Sequence, residues 1–321
     1  PEKYADVVEK VIRKGSTPAG MHISICVKEI LDFLQIQPGQ RGLDATLGYG
    51  GHTLEMLKCL KGEGHIYGLD VDPIESEKTK ERLKKQGFGE DILTVKLLNF
   101  RNIDQVAEEA GKFDFVLADL GVSSMQIDNP ERGFSYKVDG PLDLRMNPQK
   151  GISAAQRLKE VTQEELYGML LENADEPYAE EISKAVIRQR RIRPVETTTD
   201  LKQVIEQALS FIPEKERKEA VKKSCQRSFQ ALRIDVNSEF EVLYDFLEKL
   251  PQVLAPNGRA AILTFHSGED RLVKKSFKQF YKEGIYSDIS KNVIRPSQEE
   301  CARNSRARST KMRWAIRAQE I

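Results

Sequence analysis

Three glycines and two acids suggest chemistry first. Gly48, Gly50 and Gly51 stand in Asp44-Ala-Thr-Leu-Gly-Tyr-Gly-Gly-His52, where a short apolar segment gives way to helical periodicity. Glycines at such a turn permit positive φ and let a ligand approach the backbone with no Cβ in the way. The helix that follows offers unpaired N–H groups to an electron-rich group. Asp70 closes the next apolar run, 20 positions after Gly50, where an acid in a doubly wound sheet accepts hydrogen bonds from ribose hydroxyls. The paired spacing points to a nucleoside-containing ligand. The structural alternative is a plain tight turn with Asp70 capping a helix.

The details favour S-adenosylmethionine over NAD. A dinucleotide fingerprint has a third glycine that packs helix on strand, and Thr53 occupies that place here. Asp44, four residues before Gly48, could receive the ammonium of an amino-acid moiety, which NAD lacks. Asp119 ends a further apolar run and adds a second polar edge. Beyond it, Leu-Gly-Val-Ser-Ser-Met-Gln126 carries Ser123, Ser124 and Gln126, whose hydroxyls and amide could orient an exocyclic amine. In Phe265-His-Ser-Gly-Glu-Asp-Arg271, His266 could be a base, a donor to substrate or a neighbour of a helix cap. The aperiodic run Arg132–Met146, mixing glycine, aromatics and paired charges, reads as a functional loop.

These residues need a sheet to hold them. Apolar runs at Arg41–Leu47, His65–Leu69, Leu93–Leu98 and Phe113–Asp119 alternate with helical patterns, which implies parallel strands with covering helices. The next strand, Arg259–Phe265, starts 140 positions after Asp119, so about 100 residues exceed what a crossover needs. They carry helical patterns at Ala154–Leu158, Gln163–Leu171, Ala179–Gln189, Asp200–Phe211 and Glu214–Lys223. The chain is therefore read as an α/β Rossmann-like sheet (1–128 and 223–321) with an inserted all-helical domain (129–222). A helix carrying Phe240, Leu243, Phe246, Leu247 and Leu250 returns to the sheet, and residues 1–20 read as an arm or leader helix.

Composition excludes several classes. The 321 residues suit about two domains. Lys+Arg and Asp+Glu both number 50, so any attraction to nucleic acid must come from local patches. Ser183–Arg193 and Cys301–Gln319 are such patches; the second holds six cations and Trp314, types that suit phosphate contact and base stacking. Four scattered cysteines and four histidines lack metal or disulfide spacing. No apolar run is long enough for a membrane span. A soluble, cytoplasmic protein is the expectation, with a removed organelle-targeting segment left open.

Taken together, the motifs resemble the MraW/RsmH family. The likeness rests on DATLGYGGH (44–52), GLDVDP (68–73), DLGVSSMQID (119–128), RGFSYKVDGPLDLRM (132–146), SFQALRIDVNSEFE (228–241), FHSGEDRLVK (265–274) and NSRARSTKMR (304–313). Departures are Met125, Asn147 and Gly268, where the family pattern has Pro, Asp and Leu. The resemblance implies a class I methyltransferase that uses S-adenosylmethionine to methylate cytosine N4 of small-subunit ribosomal RNA, free or in the assembled subunit, with a homodimer as one oligomeric expectation. By that likeness Gly50, Gly51 and His52 line the methionine and ribose, Asp70 holds the ribose, Phe100 packs on adenine, and Asp119 and Gln126 complete the pocket. Asp119, Ser123, Ser124 and His266 are the expected catalytic groups, Asp119 foremost. A paralogue with another RNA target, an NAD-type dehydrogenase and a binding protein with a vestigial pocket are the competing readings.

Overall fold

A computed structural model describes residues 24–122 and 124–319, without the side chains of Ser124 and Met125. The expected leader helix at 1–20 lies outside them. Ser124–Glu241 forms one compact unit, and the chain on either side of it forms the other.

The second of these holds a seven-stranded sheet in the order β3-β2-β1-β4-β5-β7-β6. The strands are β1 (Arg41–Asp44), β2 (His65–Asp70), β3 (Leu93–Leu97), β4 (Phe113–Asp119), β5 (Leu254–Thr264), β6 (Tyr286–Ile289) and β7 (Lys311–Arg317). The first five pair in parallel; β7 runs antiparallel between β5 and β6. This is the Rossmann-like α/β sheet expected from the sequence. Helices cover both faces and divide the core in two. Phe113, Val116, Phe246 and Phe277 lie in one cluster, and Leu57, Ile66, Phe115 and Leu117 in the other. From Phe115 onward successive residues of β4 thus face opposite layers, as the alternation of a strand dictates, and a register irregularity between Phe113 and Phe115 puts those two in different layers.

Two strands escape the sequence reading. The Lys311–Arg317 run, read as a basic patch, is β7, and its charges are used inside the protein. Arg313 pairs with Asp270 at 2.7 and 3.1 Å, both residues buried. Arg317 donates to the Pro251 and Ile285 carbonyls, and Trp314 stacks on Phe33 at 4.7 Å. Burial raises the Asp270 carboxyl, but the Arg313 hydrogen bond and charge outweigh it and hold the group below its ordinary value.

The other unit is helical: Ser124–Asp128, Ala154–Glu160, Gln163–Ala174, Ala179–Ile192, Thr198–Ala208 and Glu214–Val236. Its core gathers Leu158, Leu170, Ile182, Val186, Ile205 and Leu232. Side chains cap three of these helix starts, with Ser153 and Thr162 each accepting an N–H and a full capping box between Thr197 and Asp200. The unit's edges differ from the expected 129 and 222. Position 222 falls inside the unbroken 23-residue helix Glu214–Val236, which no glycine or proline interrupts. The 132–146 loop is pinned at its end, where Asn237 donates to the Leu144 carbonyl and accepts the Met146 N–H, and Arg132 donates to the Arg145 and Met146 carbonyls. In the basic run 183–193, Arg190 serves the Leu158 and Val161 carbonyls, Lys184 pairs with Glu180 and Arg193 with Asp200.

Candidate functional site

In a sheet whose neighbouring strands run parallel, the C-terminal ends share one edge, and ligands bind there where the strand order reverses. The reversal here lies between β1 and β4. The fold brings the glycine turn after β1, Asp70 at the end of β2, Asp119 at the end of β4 and His266 just past β5 to that edge.

The glycine turn is built by close approach. Gly48 and Gly50 have φ of 53° and 87°, and the Gly48 carbonyl accepts the Thr79 hydroxyl at 2.5 Å. A Cβ on Gly50 would lie 2.8 Å from Thr79 Cγ2, so a side chain meets both a strained φ and a clash. Gly50→Ala is therefore expected to lower stability by about 1–3 kcal/mol, measured by urea unfolding of the two chains. The helix Gly51–Leu60 begins at Gly50 with no side-chain cap, which leaves its positive end for a ligand.

The acids divide into a brace and two edge groups. Asp44, 1% exposed, accepts the Thr46 N–H at 3.1 Å and the Thr53 hydroxyl at 2.6 Å. Each oxygen thus holds one hydrogen bond inside the protein, and through them Asp44 braces the turn. Burial raises its carboxyl, against the Thr53 hydrogen bond and the nearby His52. Asp70, partly exposed, accepts the Asp72 N–H at 3.0 Å; burial is the main cause that pushes its pKa up to about 7. Asp119 accepts the Gly121 N–H at 3.0 Å, and its own N–H donates to Thr46 Oγ1 at 2.6 Å. Burial also raises the Asp119 carboxyl, with His52 opposing.

His52 connects two elements. Its Nε2 lies 2.7 Å from the Ile25 carbonyl, and its Nδ1 lies 3.6 Å from Asp119 Oδ2. A carbonyl only accepts, so Nε2 carries a hydrogen.

Phe100 packs edge-on against Phe246 at 5.1 Å and stays partly exposed. His266 begins the helix Ser267–Lys282. Ser123 lies outside the described residues, Ser124 opens the helix Ser124–Asp128, and Gln126 is half-buried on that helix, in the helical unit. The sequence reading passes over Thr46 and gives Thr53 no bonding role, although both sit inside the 44–53 run; a hydroxyl gives no periodic signal. It also finds no metal spacing. The fold nevertheless brings Cys26, Glu29 and Glu300 ligand atoms within 4.8 Å, with the Glu300 carboxylate engaged by the Cys26 N–H.

The MraW methylase family model matches residues 19–318. The chain belongs to the MraW methylase family. Among its relatives, ribosomal RNA small subunit methyltransferase H 1 of Lachnoclostridium phytofermentans is 73% identical over 319 residues, 99% of this chain and 87% of that protein. The protein of the same name from Agathobacter rectalis is 69% identical over 320 residues, 99% and 92% of the two chains. An rRNA methylase structure from Streptococcus thermophilus aligns over 93% of this chain and 100% of its own, with 12% identity and a TM-score of 0.43. As an MraW methylase the chain is a methyltransferase that uses S-adenosylmethionine. Its residues fit that donor: an uncapped helix start after a glycine turn, and acids at the ends of the two strands flanking β1, on the same edge. Among the described residues, no helix is long and apolar enough to cross a membrane.

Proposed function

We propose that this MraW methylase transfers a methyl group to N4 of a cytosine in small-subunit ribosomal RNA, in the cytoplasm. The observation that carries the reading is the assembly of Gly50, Asp70 and Asp119 at the switch-point edge of the sheet, in a chain whose relatives are named for small-subunit rRNA. When bound, S-adenosylmethionine supplies a methyl carbon activated by a sulfonium. Gly48, Gly50, Gly51 and His52 line its methionine and ribose, Asp70 accepts the ribose hydroxyls, and Phe100 covers the adenine. Asp119 completes the pocket, and Asp44 braces the turn.

Cytosine N4 is a weak nucleophile because its lone pair is delocalised into the ring. Asp119 accepts an N–H of that amine, with His266 as a further partner, so the pair localises on nitrogen and aligns with the methyl carbon. The amine must leave the stack to be reached, so an unpaired or flipped base is the substrate. In the helical unit, Arg188 and Arg191 make no ion pair or hydrogen bond among the described residues, and they are the cations of the 183–193 run left for RNA phosphates.

Transfer of labelled methyl onto unmethylated small-subunit RNA and onto assembled particles, followed by nucleoside analysis, tests the reading. N4-methylcytidine supports it. Label on another nucleoside indicates a shifted target, and bound donor with no RNA labelled overturns it. Light scattering of the same sample tests the homodimer.

A further inference from the structure

We propose that Glu269 is a positioning residue for His266, its buried carboxylate enabling the imidazole to take the proton that the cytosine amine sheds. The inference rests on the methyl transfer proposed above.

Two acids occupy the first turn of the helix Ser267–Lys282, and the structure gives them different work. Asp270 is committed to Arg313 of β7. Glu269, 3% exposed, instead turns back toward the sheet edge. Its Oε1 accepts the Phe265 N–H at 2.9 Å and lies 3.4 Å from His266 Nε2. In an ordinary capping box, the third-position glutamate bonds the N–H of the cap residue itself. Here the cap residue is His266, and the bond goes to the residue before it, which sets the carboxylate beside the imidazole.

That placement suits a charge that appears during the reaction. A helix N-terminus and a donated backbone N–H both favour the ionised form of a carboxylate. Held a few ångströms from an imidazole in a buried setting, it favours the protonated ring. Phe265 seats the same segment, because its ring would lie 2.8 Å from a Cβ on Gly121, two residues past Asp119. His266 is thus anchored on both sides: Phe265 packs beside the Asp119 turn, and Glu269 holds the Phe265 N–H.

The step balances as follows. The N4 lone pair forms the bond to the methyl carbon, while the pair of the broken carbon–sulfur bond returns to sulfur. The nitrogen, now positive, releases a proton to His266, and the imidazolium persists beside the Glu269 carboxylate until water takes the proton.

The test is a double-mutant cycle on the full chain, read as single-turnover methyl transfer to unmethylated small-subunit RNA, with donor affinity measured alongside. Glu269→Gln keeps an oxygen for the Phe265 N–H and removes the charge. It is expected to slow transfer about tenfold, less than the 10²–10⁴-fold supplied by a complete acid–base group, with unchanged donor affinity. In a His266→Ala background the same change should alter the rate less than about twofold, since coupled residues are non-additive. Glu269→Asp, which keeps the charge, should recover most of the loss. Equal loss in both backgrounds, or a Glu269→Gln chain that no longer binds donor, makes Glu269 structural and overturns the proposal. A His266→Ala chain as fast as the parent overturns it too, while leaving the cytosine-N4 reading standing. A parent chain that methylates no RNA overturns that reading, and the proposal with it.

Discussion

Asp70→Ala is expected to weaken S-adenosylmethionine binding about 100-fold. Two ribose hydroxyls donating to a charged carboxylate contribute about 1.5–3 kcal/mol each, and about 2.8 kcal/mol is a hundredfold in affinity. Isothermal titration of the parent and variant measures it, and equal affinities would refute the assignment of Asp70 to the ribose. The sign of the pH effect follows from the same residue. Burial raises the carboxyl to about 7 in the free protein, with the Asp72 and Asp44 charges acting in the same direction, so below pH 7 it is mostly protonated. Hydrogen bonds from the ribose favour the ionised form. Affinity should therefore rise with pH, being about tenfold weaker at pH 6 than at pH 8, and Asp70→Asn should flatten the profile. Folding responds oppositely. A carboxyl with a raised folded pKa stabilises the fold at low pH, and that contribution is lost as pH climbs from the ordinary carboxylate value through about 7.

The second large effect belongs to Asp119. Asp119→Asn keeps the side chain's shape and an oxygen for the Gly121 N–H, but removes the charge that would draw the amine hydrogen. Loss of one such preorganised group typically costs about 10²–10³-fold in rate. Single-turnover methyl transfer should fall by that factor, while donor affinity falls far less. If affinity drops with the rate, Asp119 serves the donor and not the amine. His52 offers a control, since it faces Asp119 at 3.6 Å and is also held by the Ile25 carbonyl. Its replacement should move the Asp119 carboxyl further up, because it removes the positive neighbour that opposes burial.

Local patterns account for much of what could be read in advance. β4 runs Phe113–Asp119 as its apolar run implies, and the five helices expected in the inserted unit start at or within two residues of their expected positions. Their side-chain caps are encoded a few residues away, as Thr197 and Asp200 show. β6 and β7 were hidden for the opposite reason. Lys311–Arg317 carries three cations in seven residues, and what neutralises or satisfies Arg313 and Arg317 lies 43, 66 and 32 positions away along the chain. No local pattern announces a partner at that distance.

The same division runs through the site. Residue order alone carried the glycine turn, the acids that end β2 and β4 and the parallel pairing that aligns them, because each depends on neighbours within a few positions or on a strand's period of two. Only the folded chain decided what each acid does. Thr46 and Thr53 each bond one oxygen of Asp44, burial leaves Asp70 ready to titrate near neutrality, and Asp119 faces His52. Charge, desolvation and hydrogen bonding act through space, and the groups that set them meet only when distant segments are packed together.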